Sequence, residues 1–392
     1  MQAADTATGT GGWVGRGEAL SRLGIKAQTL YAYVSRGRIA ARPDPEDPRR
    51  SLYAARDIAR LTGGQITEDV ALLPSVGAPA RGEAEVQSGL TLIAGGRLFY
   101  RGMDAIQLAE TATLEDVARR LWDARDANPF AEVRPRVGAV PGGSARARLF
   151  AALARRAEED ADRKPRPIAD LRLECARVLD EAVDAFVGSG PRLFLHQRLA
   201  RAWKVPERDV HLIRRALVLA ADHEMNAAVL TTRAAAGGGA SPAAAALAGL
   251  ATLAGSEAIA ELSRASAWIL AVRRQAVDAA RRAHEMGALG GFGDPIYPSG
   301  DPRAAALLAV ADLPLDLARA MDEGREATGL APNFGLALVA VVRRLELPRE
   351  AATDLLLTGR LAGLLGHALD QIANGSPIRA RLRYVGPEPG AH

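Results

Sequence analysis

Few residue types in this 392-residue chain have the chemistry to act on a ligand, and they are unevenly supplied. There is one cysteine, Cys175. A single thiol excludes an intramolecular disulfide, and a lone Cys in an Ala- and Arg-rich helical stretch reads as a small buried hydrophobe rather than a nucleophile. The cations are almost all arginine, since Lys26, Lys164 and Lys204 are the only lysines among 50 Lys and Arg residues. Arginine never loses its charge, and its planar fork binds a carboxylate at two points. Taken singly, an arginine in so Arg-rich a chain reads as a surface or helix-capping residue. Of the six histidines, none falls between His223 and His284. The net charge of +4 and pI near 9.5 admit an anionic partner but match the Arg and Ala bias of the composition equally well.

The elements that must position these groups are mainly helices. Ala and Leu dominate, aromatics make up 4%, and β-branched residues are scattered, so a mostly-α protein is expected. Residues 13–61 read as a run of short elements. GEALSRLGI places Ala19, Leu20 and Leu23 at helical spacing and stops at Gly24. A second helix carries Thr29, Leu30, Tyr33 and Val34 and ends at Gly37. RPDPEDPRRSLY then reads as a β-wing and ARDIARL as a closing helix. In a helix-turn-helix the second helix enters the major groove and carries polar residues at its start. Lys26, Gln28, Thr29 and Arg36 meet that need, and Arg49 and Arg50 stand where a wing meets phosphates. The ordered string resembles the winged helix-turn-helix of mercury-resistance-regulator-type (MerR) and excisionase-type proteins. The expected organisation is this unit over 1–62, a Gly- and Pro-containing linker over 63–85, and a large region over 86–392.

From Val86 onward the sequence reads as nearly continuous helix period, with stops at 128–130, 140–143, 188–191, 236–242, 287–293 and 298–303. The apolar stretch from Pro242 to Gly255 is too short to span a bilayer, and residues 1–12 lack the pattern of a secretory signal. The expectation is a cytoplasmic protein with no membrane partner.

Four ordered motifs carry a second resemblance. GLTLIAGGRLFYRGMDAIQLAETATLEDVARRLWD, ADHEMNAAVLTTRAAAGGGAS, GGFGDPIYPSGDPRA and GRLAGLLGHALDQI with IRARLRYVGP are similar, in this order, to segments of the citrate synthase family. The resemblance implies large and small helical domains, the smaller formed by about 256–340, and a cleft shared across a dimer. It also implies acyl-CoA as substrate or ligand, with no tightly bound cofactor and no metal. The family's condensation uses a carboxylate base, one His to stabilise the enol and one to polarise the ketone of the 2-oxo acid. At the matching positions this chain has Gly335, Gly255 and Asp294. Glycine takes no proton, and an ionised carboxylate donates no hydrogen bond to a ketone. Glu257 and Asp294 are the only carboxylates near the lost positions, each a replacement base or a solvated helix-end charge.

Other positions match the family's substrate contacts: His223, Arg303 and Arg360, with Arg379 or Arg381 as a further arginine reaching into the partner subunit. Glu224 and Asn226 read as structural residues at a helix junction. The resemblance leads to a catalytically defective family member that senses a di- or tricarboxylate and reports on DNA, or that serves as the inactive partner of a citrate synthase paralogue, in a homodimer or heteromer. The alternative is an active citrate or 2-methylcitrate synthase-type acyltransferase working with altered residues.

Overall fold

Helix α1 (Arg16–Leu23) ends at Gly24, whose φ of 62° and N–H bond to Leu20 O at 3.0 Å make the left-handed stop that glycine adopts without steric cost. Ile25 and Lys26 lead into α2 (Ala27–Ser35). Strands β1 (Trp13–Gly15), β2 (Ala41–Pro43) and β3 (Ser51–Ala54) form an antiparallel sheet in the order β1-β3-β2. Val14, Ala19, Leu30, Ile39, Tyr53 and Ile58 are its buried core. Nothing local in the sequence announces β1. It forms by pairing with a strand almost forty residues later, Trp13 opposite Ala54 and Val14 opposite Tyr53, and such context decides strands more than propensity does.

This computed structural model describes residues 13–35, 39, 41–44, 47, 50–55, 57–58, 86–134, 142–160, 166–191, 193–274, 278–375 and 377–379. The chain divides into two units, Met1–Leu73 and Pro74–His392.

The second unit departs from continuous helix period at its start. Strands β4 (Thr91–Ala94), β5 (Arg97–Tyr100) and β6 (Met103–Asp104) form an antiparallel meander. The reason is local: Gly95 and Gly96 both take positive φ, 56° and 69°, as a two-residue hairpin turn requires, and TLIA and RLFY flank them with strand-forming residues. Asp104 then caps α3 (Ala105–Thr111), and Thr113 with Asp116 forms a capping box on α4 (Leu114–Leu121). The remaining helices are α5 (Ala145–Glu159), α6 (Ile168–Val187), α7 (Leu195–Ala202), α8 (Val210–Ala220), α9 (Ala227–Gly237), α10 (Pro242–Ala254), α11 (Glu257–Arg274), α12 (Ala279–Glu285), α13 (Pro302–Leu308), α14 (Leu315–Thr328), α15 (Phe334–Arg344) and α16 (Ala351–Asn374). The fold is mostly helical. Cys175 on α6 is fully buried, and burial pushes its thiol well up.

Helix α16 is buried almost all round and packs on α4, α6, α8, α9, α10 and α15. Its glycines set how closely α8 approaches. A Cβ at Gly359 would lie 2.6 Å from Ala220 Cβ, and one at Gly363 would overlap Ala221 O and lie 2.8 Å from Asp222 Oδ1. Helices α11 to α15 pack chiefly on one another, and α15 continues past 340 to Arg344. Among the described residues no single helix is long and apolar enough to cross a membrane. The bent pair Pro242–Ala254 and Glu257–Val272 passes on length and composition only, and Ala243, Ala246, Leu250 and Leu253 of its first helix are buried in the core.

Candidate functional site

Where α8 ends, three distant stretches of chain meet. The Tyr100 hydroxyl lies within 3.3 Å of the carbonyls of Val218, Leu219 and Asp222 and accepts from the Asp222 N–H at 3.3 Å, fixing the turn that follows the helix. The Asp222 carboxylate is fully buried and accepts from the Thr91 hydroxyl, from His367 Nε2 at 2.9 Å and from Arg360 Nη1 at 3.4 Å. His367 Nδ1 in turn faces Arg233 Nη1 at 3.2 Å; a guanidinium only donates, so Nδ1 accepts and Nε2–H donates to Asp222. Burial alone would raise the Asp222 carboxyl. His367 and Arg360 more than offset it and hold it below its ordinary value. Burial pushes Arg360 down from its usual range, with Asp222 opposing, and its buried Nε has no hydrogen-bond partner among the described residues.

His223 follows Asp222 and is buried, its Nε2 3.2 Å from the Tyr297 hydroxyl. Burial lowers the imidazole well below its usual range, and the charges of Arg303 and Arg360 push the same way, so the ring is neutral near pH 7. Burial likewise keeps Tyr297 protonated. Arg303 sits at the start of α13, gripped by the helix's own N-cap: Asp301 Oδ1 accepts from its Nε at 3.0 Å and Oδ2 from its Nη2 at 2.8 Å. The rings of Tyr297 and Phe334 flank the guanidinium at 5.5 and 4.8 Å. Asp301 outweighs burial and holds Arg303 above its ordinary value. The site thus gathers His223, Arg303 and Arg360, and adds Asp222, Tyr297 and Asp301.

Asp294 belongs to the same group. Its Oδ1 accepts from the Ile296 N–H at 2.8 Å, and its Oδ2 lies 3.8 Å from Arg303 Nη2. Burial raises its carboxyl, and Asp301 adds to the effect. Glu224 is raised by partial desolvation and by the charge of Asp294, while Arg360 and Arg303 pull it down, so Glu224 is within electrostatic reach of all three.

The other positions singled out in the sequence fall around this cluster. Asn333 caps α15 and bonds Glu261 and the Gly293 carbonyl through its amide, and the Phe334 N–H donates to Asp301, which puts Gly335 one residue from the Arg303 clamp. Gly255 is the C-cap of α10, where a Cβ would meet only the Ala251 and Thr252 carbonyls, both at 3.9 Å. Glu257 is exposed and paired with Arg264 at 2.5 Å. Asn226 caps α9 through the Ala228 and Val229 amides. Arg379 is exposed, and Arg381 lies outside the described residues. In the first unit Lys26 and Gln28 are exposed, Thr29 is half-buried, and Arg50 is exposed and paired with Asp47 at 3.3 Å; Arg36 and Arg49 lie outside the described residues. Among the described residues no group of His, Cys, Asp and Glu side chains is arranged to hold a metal ion.

Comparison with known proteins places the fold. Residues 124–381 match the family model described as citrate synthase, C-terminal domain. The chain is 27% identical over 203 residues to citrate synthase 2 of Bacillus subtilis (strain 168), covering 46% of this chain and 52% of that one. It is 26% identical over 203 residues to 2-methylcitrate synthase 2 of Corynebacterium glutamicum, covering 46% and 50%. The chain thus spans about half the length of the curated relatives it matches. Citrate synthase from Thermotoga maritima MSB8 superposes with a TM-score of 0.60 at 20% identity, over 79% of this chain and 96% of that one. The citrate synthase of Thermoplasma acidophilum, in a ternary complex with carboxymethyl coenzyme A and oxaloacetate, superposes with a TM-score of 0.65 at 20% identity, over 78% and 95%. At that identity the superpositions speak to the fold.

Proposed function

Since this chain belongs to the citrate synthase family, we propose that its large unit binds a carboxylate ligand through His223, Arg303 and Arg360 without performing the family's condensation. The observation that carries this reading is Asp294, a carboxylate 3.8 Å from Arg303, where the family resemblance calls for the histidine that polarises a ketone. A carboxylate there repels the anionic 2-oxo acid and offers no proton in its ionised form. Gly335 and Gly255 remove the base and the enol stabiliser as well. Acyl-CoA then remains at most a ligand. With the condensation lost, the chain acts as a carboxylate-sensing regulator that binds DNA through its N-terminal unit, or as the non-catalytic partner of an intact citrate synthase in a dimer.

Loss of one acid–base group costs roughly a hundredfold to ten-thousandfold in rate, and groups that work as a unit do not add simply. CoA release by the purified full chain with acetyl-CoA and oxaloacetate is therefore expected at background. Gly335→Asp is expected to stay there too, because a restored base forms an enolate that nothing stabilises. Robust CoA release by the unmodified protein overturns the reading in favour of an active citrate or 2-methylcitrate synthase-type acyltransferase. Carboxylate binding is tested separately: a ligand that binds only the folded state raises the melting temperature by mass action, and replacing Arg303 and Arg360 together with Ala abolishes that shift.

A further inference from the structure

The two buried guanidiniums of the site are not equally free. Arg303 gives Nε and Nη2 to Asp301, and the same Nη2 also faces Asp294. Among the described residues Arg360 makes a single hydrogen bond, from Nη1 to Asp222 at 3.4 Å, and its buried Nε has no acceptor. The edge of a guanidinium that runs from Nε to Nη2 is one that takes a carboxylate at two points. That edge is occupied on Arg303, whereas on Arg360 the buried Nε is left without an acceptor among the described residues, so one ligand carboxylate belongs at Arg360.

Charge decides what the rest of the ligand carries. Arg303 and Arg360 are matched by Asp301 and Asp222, both buried, and His223 is neutral. Among the described residues Asp294 and Glu224 are then in excess, Asp294 sharing Arg303 with Asp301 and Glu224 making no ion pair. Ile296 N–H ties Asp294 Oδ1 and leaves Oδ2 on the side of Arg303, while Glu224 follows His223 in the chain and feels Asp294 and, in the opposite sense, Arg360 and Arg303. A second ligand carboxylate would meet these surplus negative charges; a cationic group would neutralise them. We propose that the site selects a zwitterion, with one carboxylate on the Nε edge of Arg360 and an ammonium group held by Asp294 and Glu224, in place of an oxo dicarboxylate. Asp294 is then the residue that sets specificity. The inference rests on the carboxylate-binding reading above and narrows it.

The test compares 4-aminobutyrate with succinate, four-carbon acids that differ in carrying an ammonium group or a second carboxylate. Binding to the full chain near neutral pH is followed by calorimetry and by melting temperature. The unmodified protein is expected to bind 4-aminobutyrate at least about tenfold more tightly than succinate. Asp294→Asn keeps the acceptor for Ile296 N–H, and together with Glu224→Gln at the exposed neighbour it is expected to reverse that order. Succinate binding the unmodified protein as tightly as 4-aminobutyrate, or an order unchanged in the double variant, overturns the zwitterion and leaves the carboxylate reading standing. No binding of either acid to the protein or to the double variant overturns both.

Discussion

Buried ionisable side chains make the stability of this protein depend on pH in ways that single substitutions can separate. Asp354, near the start of α16, is raised to about 7 by burial and by Glu350, with Arg146 and Arg148 pulling weakly the other way. Its ordinary value is 3.8, so between that and about 7 the carboxyl is protonated in the folded chain and ionised in the unfolded one. Its contribution is present below 3.8, declines as pH rises through the window and is lost above about 7. At about 1.4 kcal/mol per pH unit the whole effect is at most ~4 kcal/mol. His196 acts in the opposite sense: burial, then Arg214, lowers its ring from 6.5 to about 4, so its contribution is present above 6.5 and lost as pH falls toward 4. Differences between protein and variant isolate each term. Asp354→Asn is expected to gain urea stability over the unmodified chain progressively from about pH 4 to about pH 7, and a gain independent of pH would refute the assignment. Such groups illustrate what the sequence hides. His223, Arg303 and Arg360 stand out because each sits in a recognisable motif, whereas Asp222 and Asp301 lie in the same motifs and look like any other aspartate until burial turns them into the counterions of the two arginines.

At the scale of elements, glycine spacing on α16 lets the polar residues of that helix reach the site. Gly359 and Gly363 let α8 approach closely enough for Asp222 to reach Arg360 and His367. Gly363→Ala places a methyl group on the Ala221 carbonyl, a backbone atom that cannot turn away, and overpacking of this kind costs about 1–3 kcal/mol. The same change at Gly255 meets only ordinary van der Waals contacts at 3.9 Å, at φ −94°, where it limits the unfolded chain and adds about 0.4–1 kcal/mol. Denaturant midpoints are expected to move in opposite directions for the two variants, and Gly363→Ala is also expected to weaken carboxylate binding by displacing Asp222. Equal effects at both positions would show that close approach is not what Gly363 provides. The helices themselves were largely legible, because their stops are written in Gly, Pro and capping residues such as Asn226 and Asn333. Strands β2 and β3 fall in the segment that reads as a wing, but the others were not legible: β1 depends on a partner far along the chain, and the β4–β5 hairpin is a short apolar run marked locally by its Gly95–Gly96 turn.

At the scale of the whole molecule, the order of four motifs carried the large unit, since a fold is specified by many spaced positions and survives the loss of a few side chains that do chemistry. The family match covers 124–381 and leaves the first unit to be argued from its own residues. There, α1 and α2 are joined by the turn at Gly24, and the β2–β3 hairpin follows with Arg42 stacked on Trp13 at 4.4 Å. Exposed Lys26 and Gln28 stand just before and within the first turn of α2, and exposed Arg50 precedes β3, the places from which a recognition helix and a wing would touch a duplex. If they do so, phosphate and base contacts respond differently to mutation. Each phosphate contact contributes about 0.9 to the slope of log K against log salt, so replacing both Arg49 and Arg50 with Ala is expected to weaken binding on every duplex and to flatten the slope by roughly 1–2. Gln28→Ala is expected to change which sequences are preferred and to leave the slope unaltered. Titrations of the full chain against labelled duplexes over a range of salt concentrations separate the two effects. Binding to no duplex with any salt dependence would rule out DNA as the partner of this unit and leave docking to another protein as its role.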